Sequence, residues 1–187
     1  MFGYNGGLGL QLNITVKDFS KDFPFDAKFA AGITFVDAGK PLKARSIFIN
    51  DNKNGIPDES GRTFDFRIDL LLPISSKLSV YAGPRFIAFT GNFNFIGGNE
   101  DFDVTGYQWG IGAGLESLFT ISYPIHLVFN IGYDYYFEDT LYGHDTSYSP
   151  DNENVNPRKD YKFADADKAV SQPTQNVRAM FGFSYNF

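Results

Sequence analysis

The chain has 187 residues, a length that suits one domain rather than two. Its net charge of −6 and its pI of about 4.8 argue against a nucleic-acid-binding protein, which needs a basic surface. The sequence contains no cysteine, which excludes disulfides and thiolate chemistry, while aromatic residues reach 18% of the chain, more than a soluble domain of this size readily buries.

The first segment, residues 2–16, alternates strictly between two kinds of side chain. The even positions are Phe2, Tyr4, Gly6, Leu8, Leu10, Leu12, Ile14 and Val16, and the odd positions are small or polar. A helix would scatter these residues around its circumference, whereas a strand places them on one face. We therefore predict one long strand over 2–16.

The same period of two returns along the rest of the chain. It is clear at 64–72, 78–86, 107–115, 125–135 and 177–187, and weaker at 27–36 and 42–49. One face of each segment is apolar, and the other carries glycines and charges, as in a barrel wall between lipid and a narrow lumen. The sequence predicts an all-β fold, a transmembrane up-and-down antiparallel β-barrel of about eight strands. It forms a single domain over 1–187, and a hairpin inside 137–175 would raise the number of strands to ten.

The connections between these segments alternate in length. We predict short turns near 37–41, 73–77 and 117–124, and longer loops near 17–26, 50–61, 96–104 and 137–175. Short periplasmic turns and long extracellular loops are typical of outer-membrane barrels. Outward aromatics are predicted at the outer interface (Phe64, Phe66, Tyr107, Trp109, Tyr133, Tyr135) and at the inner one (Phe2, Tyr4, Tyr185, Phe187). A soluble all-β domain is the alternative fold.

The last strand carries a recognisable ending, Ala179-Met180-Phe181-Gly182-Phe183-Ser184-Tyr185-Asn186-Phe187. It resembles the C-terminal signature of bacterial outer-membrane barrels, and the overall layout is similar to small OmpA/OmpX-type barrels and related outer membrane protein β-barrel domains. The resemblance implies an outer-membrane location, contact with the lipid bilayer and lipopolysaccharide, and recognition of Phe181, Phe183, Tyr185 and Phe187 by the barrel-assembly machinery. That family includes adhesins, anchors, narrow pores and lipid-modifying enzymes, so the resemblance does not select a function.

The predicted inward faces carry charges of both signs: Lys28, Lys43, Arg45, Asp65, Arg67, Asp69, Arg85, Glu116, Asp134 and Arg178. An unpaired charge in a partly dry lumen costs several kcal/mol, so we expect these side chains to pair. The interior of an eight-stranded barrel is just wide enough for side chains, which favours a salt-bridged plug. The alternative is a narrow gated channel for ions or small solutes, in which one pair exchanges partners.

Two histidines bear on an enzymatic hypothesis, His126 on a predicted inward face and His144 in the long loop. Lipid A-modifying enzymes of similar size use a His with Ser or acidic partners near the membrane boundary. Neither histidine lies in a matching local motif, so we predict no enzyme and assign no catalytic residue. A lipid A-modifying enzyme is the third hypothesis, after the surface barrel and the channel.

Residues 50–59 form the most suggestive local motif. Asn50, Asn52, Asn54 and Asp58 follow the spacing of calcium loops, and the segment resembles the loops of thrombospondin type 3 repeats. Calcium prefers charged oxygens, whereas here amides occupy the first ligand positions and Lys53 lies among them. We therefore favour an Asn/Gly-rich hairpin turn, with weak calcium binding as the alternative and no other cofactor.

The long loop 137–175 is polar and contains Tyr142, Tyr148, Tyr161 and Phe163. Exposed aromatics on an outer loop suit contact with a protein or glycan ligand, and they equally suit a cap packed over the barrel mouth. The leading hypothesis is a non-enzymatic outer-membrane barrel that acts as a surface anchor or binding protein through these loops.

Overall fold

A computed structural model gives the fold and describes residues 1–20, 22–49, 54–155 and 158–186. Within them, eight antiparallel strands close a ring, the last pairing with the first. The ring strands are β1 (Phe2–Asn5), β2 (Leu8–Val16), β3 (Asp26–Val36), β4 (Ile56–Ser75), β5 (Leu78–Ile96), β6 (Asp101–Ser122), β7 (Ile125–Tyr136) and β10 (Gln175–Tyr185). The remaining elements are α1 (Pro41–Phe48), β8 (Leu141–Gly143), β9 (Thr146–Tyr148) and α2 (Phe163–Asp167). The all-β barrel prediction is confirmed.

The segment predicted as one strand over 2–16 is two strands joined by a hairpin at Gly6–Gly7, so that prediction was wrong. Gly6 has a φ of +74°, and a Cβ on it would lie 2.7 Å from Oδ1 of Asn176. A reversal is therefore possible only because both turn residues lack side chains. Its consequence is that Phe2 and Tyr4 pair with Phe181 and Ala179 within the wall, not at the inner interface as predicted.

The segment predicted as a strand over 42–49 is the helix α1, so that prediction was also wrong. Pro41 occupies the first turn, where its missing N–H costs nothing. Ala44, Ile47 and Phe48 are buried at helical spacing. The total of eight strands is right because the extra strand created at Gly6–Gly7 replaces the one lost to α1.

The two ends of the barrel differ sharply. One end, called the turn end, carries the connections 17–25, 76–77 and 123–124. The other, called the cap end, carries 6–7, 37–55, 97–100 and 137–174. Two predicted connections are on the wrong end: 17–26 was expected with the long outer loops, and 37–41 with the short turns. The reversal at Gly6–Gly7 inverts β2 and β3, and α1 restores the direction of β4.

Strands β4, β5 and β6 continue beyond the rest of the wall on the cap-end side, and they include 56–61 of the predicted loop 50–61 and 101–104 of the predicted loop 96–104. Their polarity inverts along one row. Phe64, Ala88 and Tyr107 are neighbours across the three strands and face outward, and the next outward row towards the cap end is Arg62, Thr90 and Thr105. We call the line between these two rows the polarity boundary. Towards the turn end, apolar side chains point out and charges point in; beyond the boundary the arrangement reverses.

The inward face beyond the boundary belongs to a separate hydrophobic core, called the cap. It includes Phe89, Phe93, Phe95, Phe102 and Val104 from the wall, Ala44, Ile47 and Phe48 from α1, and Leu141, Tyr148, Phe163, Ala166 and Val170 from the long connection. Two backbone hydrogen bonds join the connections, from Lys40 N to Ala169 O at 2.8 Å and from Ser171 N to Ala38 O at 2.9 Å. The outer connections therefore fold together over the barrel mouth.

The hairpin of β8 and β9 lies inside the connection 137–174 and pairs with the cap-end part of β6. It extends the sheet to ten strands without entering the ring. The ring thus has the eight strands predicted from the sequence, and the hairpin inside the long connection gives the sheet the ten strands of the alternative. Neither helix in the described part of the chain is long and apolar enough to span a membrane.

Candidate functional site

The interior of the barrel holds a charge-balanced set of buried side chains. Among the described residues it comprises four basic side chains, Lys28, Arg67, Arg85 and Arg178, and four acidic ones, Asp65, Asp69, Glu116 and Asp134, each 9% exposed or less. Their formal charges cancel. We call this set the lumen network. Alternate inward positions on β3 to β7 and β10 place them there, as the period of two predicts.

Asp134 on β7 is the centre of the lumen network. Its Oδ1 lies 2.7 Å from Nε of Arg85, and its Oδ2 lies 2.6 Å from Nη1 of Arg178. Nη2 of Arg67 lies 3.9 Å from the same Oδ2. One fully buried carboxylate thus faces three guanidinium groups from three strands, which holds β4, β5 and β10 against β7 from the inside.

The remaining acidic groups complete these contacts. Arg67 Nε lies 2.9 Å from Asp65 Oδ2, and Arg67 Nη1 donates to Gln11 Oε1 at 2.7 Å. Arg85 Nη1 lies 2.7 Å from Asp69 Oδ1. Arg67 and Arg85 therefore each have a second acidic neighbour besides Asp134. These contacts offset the desolvation cost of burying the two guanidinium groups.

Arg85 also donates hydrogen bonds to backbone carbonyl groups at an interruption of the β4–β5 ladder. The β4–β5 ladder skips the pairs opposite Gly83 and Pro84, because Pro84 has no N–H to donate. Nη1 of Arg85 lies 3.2 Å from the carbonyl oxygen of Gly83 and 3.1 Å from that of Pro84, and donates to both. The same guanidinium therefore links the lumen charges to the interrupted backbone.

Towards the turn end, polar residues that sequence reasoning did not assign to the site join the network. Tyr81 OH accepts from Arg178 Nη2 at 2.7 Å and lies 2.9 Å from Asn130 Oδ1. A Cβ on Gly114 or Gly132 would lie 2.2 Å from that hydroxyl, so these glycines make room for the tyrosine. The sequence feature that could have identified Tyr81 was its inward position in the alternating segment 78–86.

Lys28 and Glu116 form an ion pair next to this group, and Asn130 Nδ2 donates to Glu116 Oε2 at 3.1 Å. The predicted inward positions of Lys28 and Glu116 are therefore observed. Together with the arginine cluster, this pair fills the interior with bonded side chains from several strands.

Lys43 and Arg45 were predicted to lie in the lumen, and that was wrong because both are on α1. Lys43 is exposed on the surface of the helix. Arg45 is buried in the cap, with its guanidinium 4.0 Å from the centre of the Phe95 ring, and its Nη1 donates to Asn54 O at 3.1 Å. Arg45 is therefore a structural cation of the cap.

His126 lies near the turn end and is buried. Its Nδ1 is 3.0 Å from Thr120 Oγ1, and its Nε2 is 3.0 Å from Asn186 Nδ2. A neutral imidazole protonated on Nδ1 satisfies both contacts, because the amide then donates to Nε2. Both ring nitrogens are thus occupied by neutral side chains, an arrangement that holds the ring in place.

The candidate calcium segment lies partly outside the described residues, which do not include Asn50 and Asn52. Asp58 lies on β4 opposite Asn94, and the Asn54 carbonyl accepts from the Arg45 guanidinium. No group of three or more His, Cys, Asp or Glu side chains with metal-binding geometry occurs in the described ranges. Weak calcium binding stays a prediction.

The predicted assembly signal lies on β10. Phe181, Phe183 and Tyr185 point outward and are exposed, whereas Phe187 is outside the described part of the chain. Their alternate spacing gives one aromatic row on the outer wall. Recognition of this row by an assembly machinery stays a prediction.

The aromatics of the long connection divide between two environments. Tyr148 and Phe163 are buried in the cap, where Tyr148 packs edge-on against Phe48 at 5.4 Å and donates to Ile47 O at 3.3 Å. Burial raises the pKa of the Tyr148 hydroxyl above its ordinary value. Tyr142 is exposed and lines a cleft of about 440 Å³ with Asp103, His144 and Asp145. The connection is therefore a cap that also presents an outer cleft.

No family model matches the chain, and a search of curated proteins also finds no match. A solved structure does match, that of a major outer membrane protein from Thermus thermophilus, with a TM-score of 0.78 and 21% sequence identity. The alignment covers 100% of this chain and 95% of that one. The chain therefore has the fold of an outer-membrane β-barrel, while membership in the OmpA/OmpX-type family is not confirmed.

Proposed function

We propose that the protein is a non-enzymatic, closed barrel of a bacterial outer membrane that holds its folded cap at the cell surface. The lumen network carries the proposal. Its basic and acidic side chains cancel in charge and pair with one another. The cap packs over the mouth of the barrel at the cap end. A sealed interior leaves the outer surface of the cap as the part that meets other molecules.

The outer wall supports the membrane location. Large apolar side chains cover it on all sides below the polarity boundary, including Leu10, Leu12, Ile14, Phe29, Phe66, Ile68, Leu70, Trp109, Ile111, Phe129, Ile131, Val177 and Phe183. Charges lie inside and apolar groups outside, the inverse of a soluble barrel. A monomeric soluble protein rarely exposes a continuous apolar surface of this extent.

Contact with a protein or glycan is proposed at the outer cleft. Tyr142 offers an exposed ring, and the Asp103 and Asp145 carboxylates offer acceptors for hydroxyl groups. Removal of 137–174 would be an unsuitable test, because that connection supplies much of the cap core. Tyr142→Ala changes the cleft alone, and Tyr133→Ala on the outer wall is its control. Loss of cell-surface adhesion in the first variant only is the expected result.

A narrow gated channel is the second candidate, and one contact favours it. Arg67 lies 2.9 Å from Asp65 and 3.9 Å from Asp134, so a small movement would exchange its partners. Such an exchange is what opening a plugged lumen requires.

Conductance across planar lipid bilayers distinguishes the two functions. The purified barrel is first refolded into detergent, and a band that shifts on boiling in cold SDS gels shows that it has folded. We expect the unmodified protein to show no conductance above that of the lipid alone, even at raised voltage. Discrete single-channel steps that change size in Arg67→Gln would contradict a sealed barrel and support the channel.

A further inference from the structure

An apolar groove interrupts the outer wall on β4, β5 and β6. It has a volume of about 320 Å³ and is lined by Phe66, Ile68, Pro84, Arg85, Phe86 and Trp109. The groove lies where the β4–β5 ladder skips its pairs beside Pro84. Pro84 is smaller than its aromatic neighbours, so the wall is locally recessed.

On β5, Phe86 separates the groove from smaller outward residues that lie towards the polarity boundary. The outward residues there are Ala88 and then Thr90, which are small compared with Phe64 on β4 and Tyr107 on β6. Below them, the Phe86 ring lies 5.1 Å from Trp109 and 6.5 Å from Phe66. The rings of Phe66, Phe86 and Trp109 therefore form the edge of the groove that faces the boundary, and a hydrocarbon chain that enters from the boundary reaches the groove by passing over Phe86.

Arg62 lies on β4 just beyond the polarity boundary, on the cap-end side of the groove. It faces outward in the first polar row, with Thr90 and Thr105 as its neutral neighbours along that row. It is exposed and has no acidic partner among the described residues, and the nearby Asp103 accepts from Asn92 at 3.0 Å. Phe66 follows four residues later, about 10 Å deeper along a tilted strand. This is the separation between a lipid phosphate and the upper part of its acyl chain.

We propose that an anionic, phosphorylated lipid binds here, with its headgroup phosphate on Arg62 and one acyl chain in the groove. The proposal depends on the membrane location proposed above. A guanidinium binds phosphate through two parallel hydrogen bonds, and an exposed cation at the membrane surface favours an anionic headgroup over a zwitterionic one. The recess beside Pro84 gives the chain a fixed position that a smooth wall would not.

Trp109 makes the test direct, because it is the single tryptophan of the chain and lines the groove. The barrel is refolded into equimolar vesicles of phosphatidylglycerol and phosphatidylcholine in which only one of the two carries brominated acyl chains. Bromine quenches tryptophan fluorescence on contact. We expect brominated phosphatidylglycerol to be preferred at Trp109 by about fivefold, the factor that one interfacial cation contributes.

Two variants and one control locate the effect. Arg62→Gln should bring the preference close to one, and Ile68→Phe, which fills the groove, should reduce it while Arg62 is intact. Lys77→Gln removes an exposed cation at the turn end and should leave the preference unchanged. Equal quenching by both lipids in the unmodified protein, or an equal loss in Lys77→Gln, would overturn the lipid site alone. Quenching by neither lipid would overturn the membrane location as well.

Discussion

At the residue scale, the interior depends on one carboxylate. Asp134 is fully buried and forms ion pairs with Arg67, Arg85 and Arg178. Burying an ion pair gains little compared with an apolar core, but removing one member leaves charge without a partner in a medium of low polarity. The residues around Asp134 cannot escape to water, because each belongs to a strand of a closed ring.

We therefore predict that Asp134→Asn, which keeps the shape of the side chain, lowers the free energy of unfolding by about 3–5 kcal/mol. Urea unfolding of the refolded barrel, followed by Trp109 fluorescence, measures the change. Asp103→Asn is the control, because Asp103 is an exposed carboxylate on the outer face of β6. Equal urea midpoints for the two variants would show that the arginines do not depend on Asp134.

At the element scale, the hairpin at Gly6–Gly7 decides the direction of β2 and β3. Two glycines of the chain, Gly6 and Gly97, have similar left-handed φ values of +74° and +80°. Their surroundings differ. A Cβ on Gly6 would lie 2.7 Å from Asn176, whereas a Cβ on Gly97 would meet nothing within 4 Å.

This pair gives a matched prediction. Gly97→Ala should cost only the left-handed backbone, about 1–2 kcal/mol, and Gly6→Ala should cost more because the methyl group displaces Asn176. The fraction of heat-shifting band after refolding and the urea midpoint both report the difference. Equal losses in the two variants would mean that the close contact at Gly6 is unimportant.

The helix α1 offers a second prediction at this scale, because it holds the cap to the wall. Phe48→Ala should create a cavity in the cap core worth about 3–5 kcal/mol and release the connection 137–174. Limited proteolysis should then cut that connection faster, while the barrel still shifts on heating. Leu42→Ala is the control, since Leu42 is exposed on the same helix. A cleavage rate no higher than that of the control would argue against a cap that depends on α1.

At the scale of the whole molecule, the polarity boundary divides β4, β5 and β6 into two parts. Below it the outward face is apolar, and above it the same strands turn polar faces outward and apolar faces into the cap. On β6 this change falls between Thr105 and Tyr107. With the proposed membrane location, a single strand passes from a wall facing hydrocarbon into a sheet facing water.

The boundary predicts how the cost of a charge depends on depth. Ile111→Arg, on the apolar part of β6, should cost about 2–4 kcal/mol and reduce insertion into vesicles. Thr105→Arg, on the same face of the same strand but beyond the boundary, should insert like the unmodified protein. The heat-shifting fraction in vesicles measures both variants. Equal insertion of the two variants would contradict either the position of the polarity boundary or the membrane location itself.

The sequence by itself determined the fold class and most of the lumen network. These follow from side chains that alternate on a strand, a local property that needs no knowledge of neighbours. Asp65, Arg67, Asp69, Arg85, Glu116, Asp134 and Arg178 all lie where that alternation predicts.

Only the tertiary structure decided the hairpin at Gly6–Gly7, the helix α1 and the cap. Alternation continues without a break through a glycine turn, so the reversal leaves no mark in the pattern. The short segment 42–49 is compatible with either period, and α1 forms because Ala44, Ile47 and Phe48 have a core to pack against. The cap-end ends of β4 and β6, at 56–61 and 101–104, were predicted as loops for a related reason. Their apolar face changes sides at the polarity boundary, and that change depends on the cap, which is assembled by residues distant in sequence.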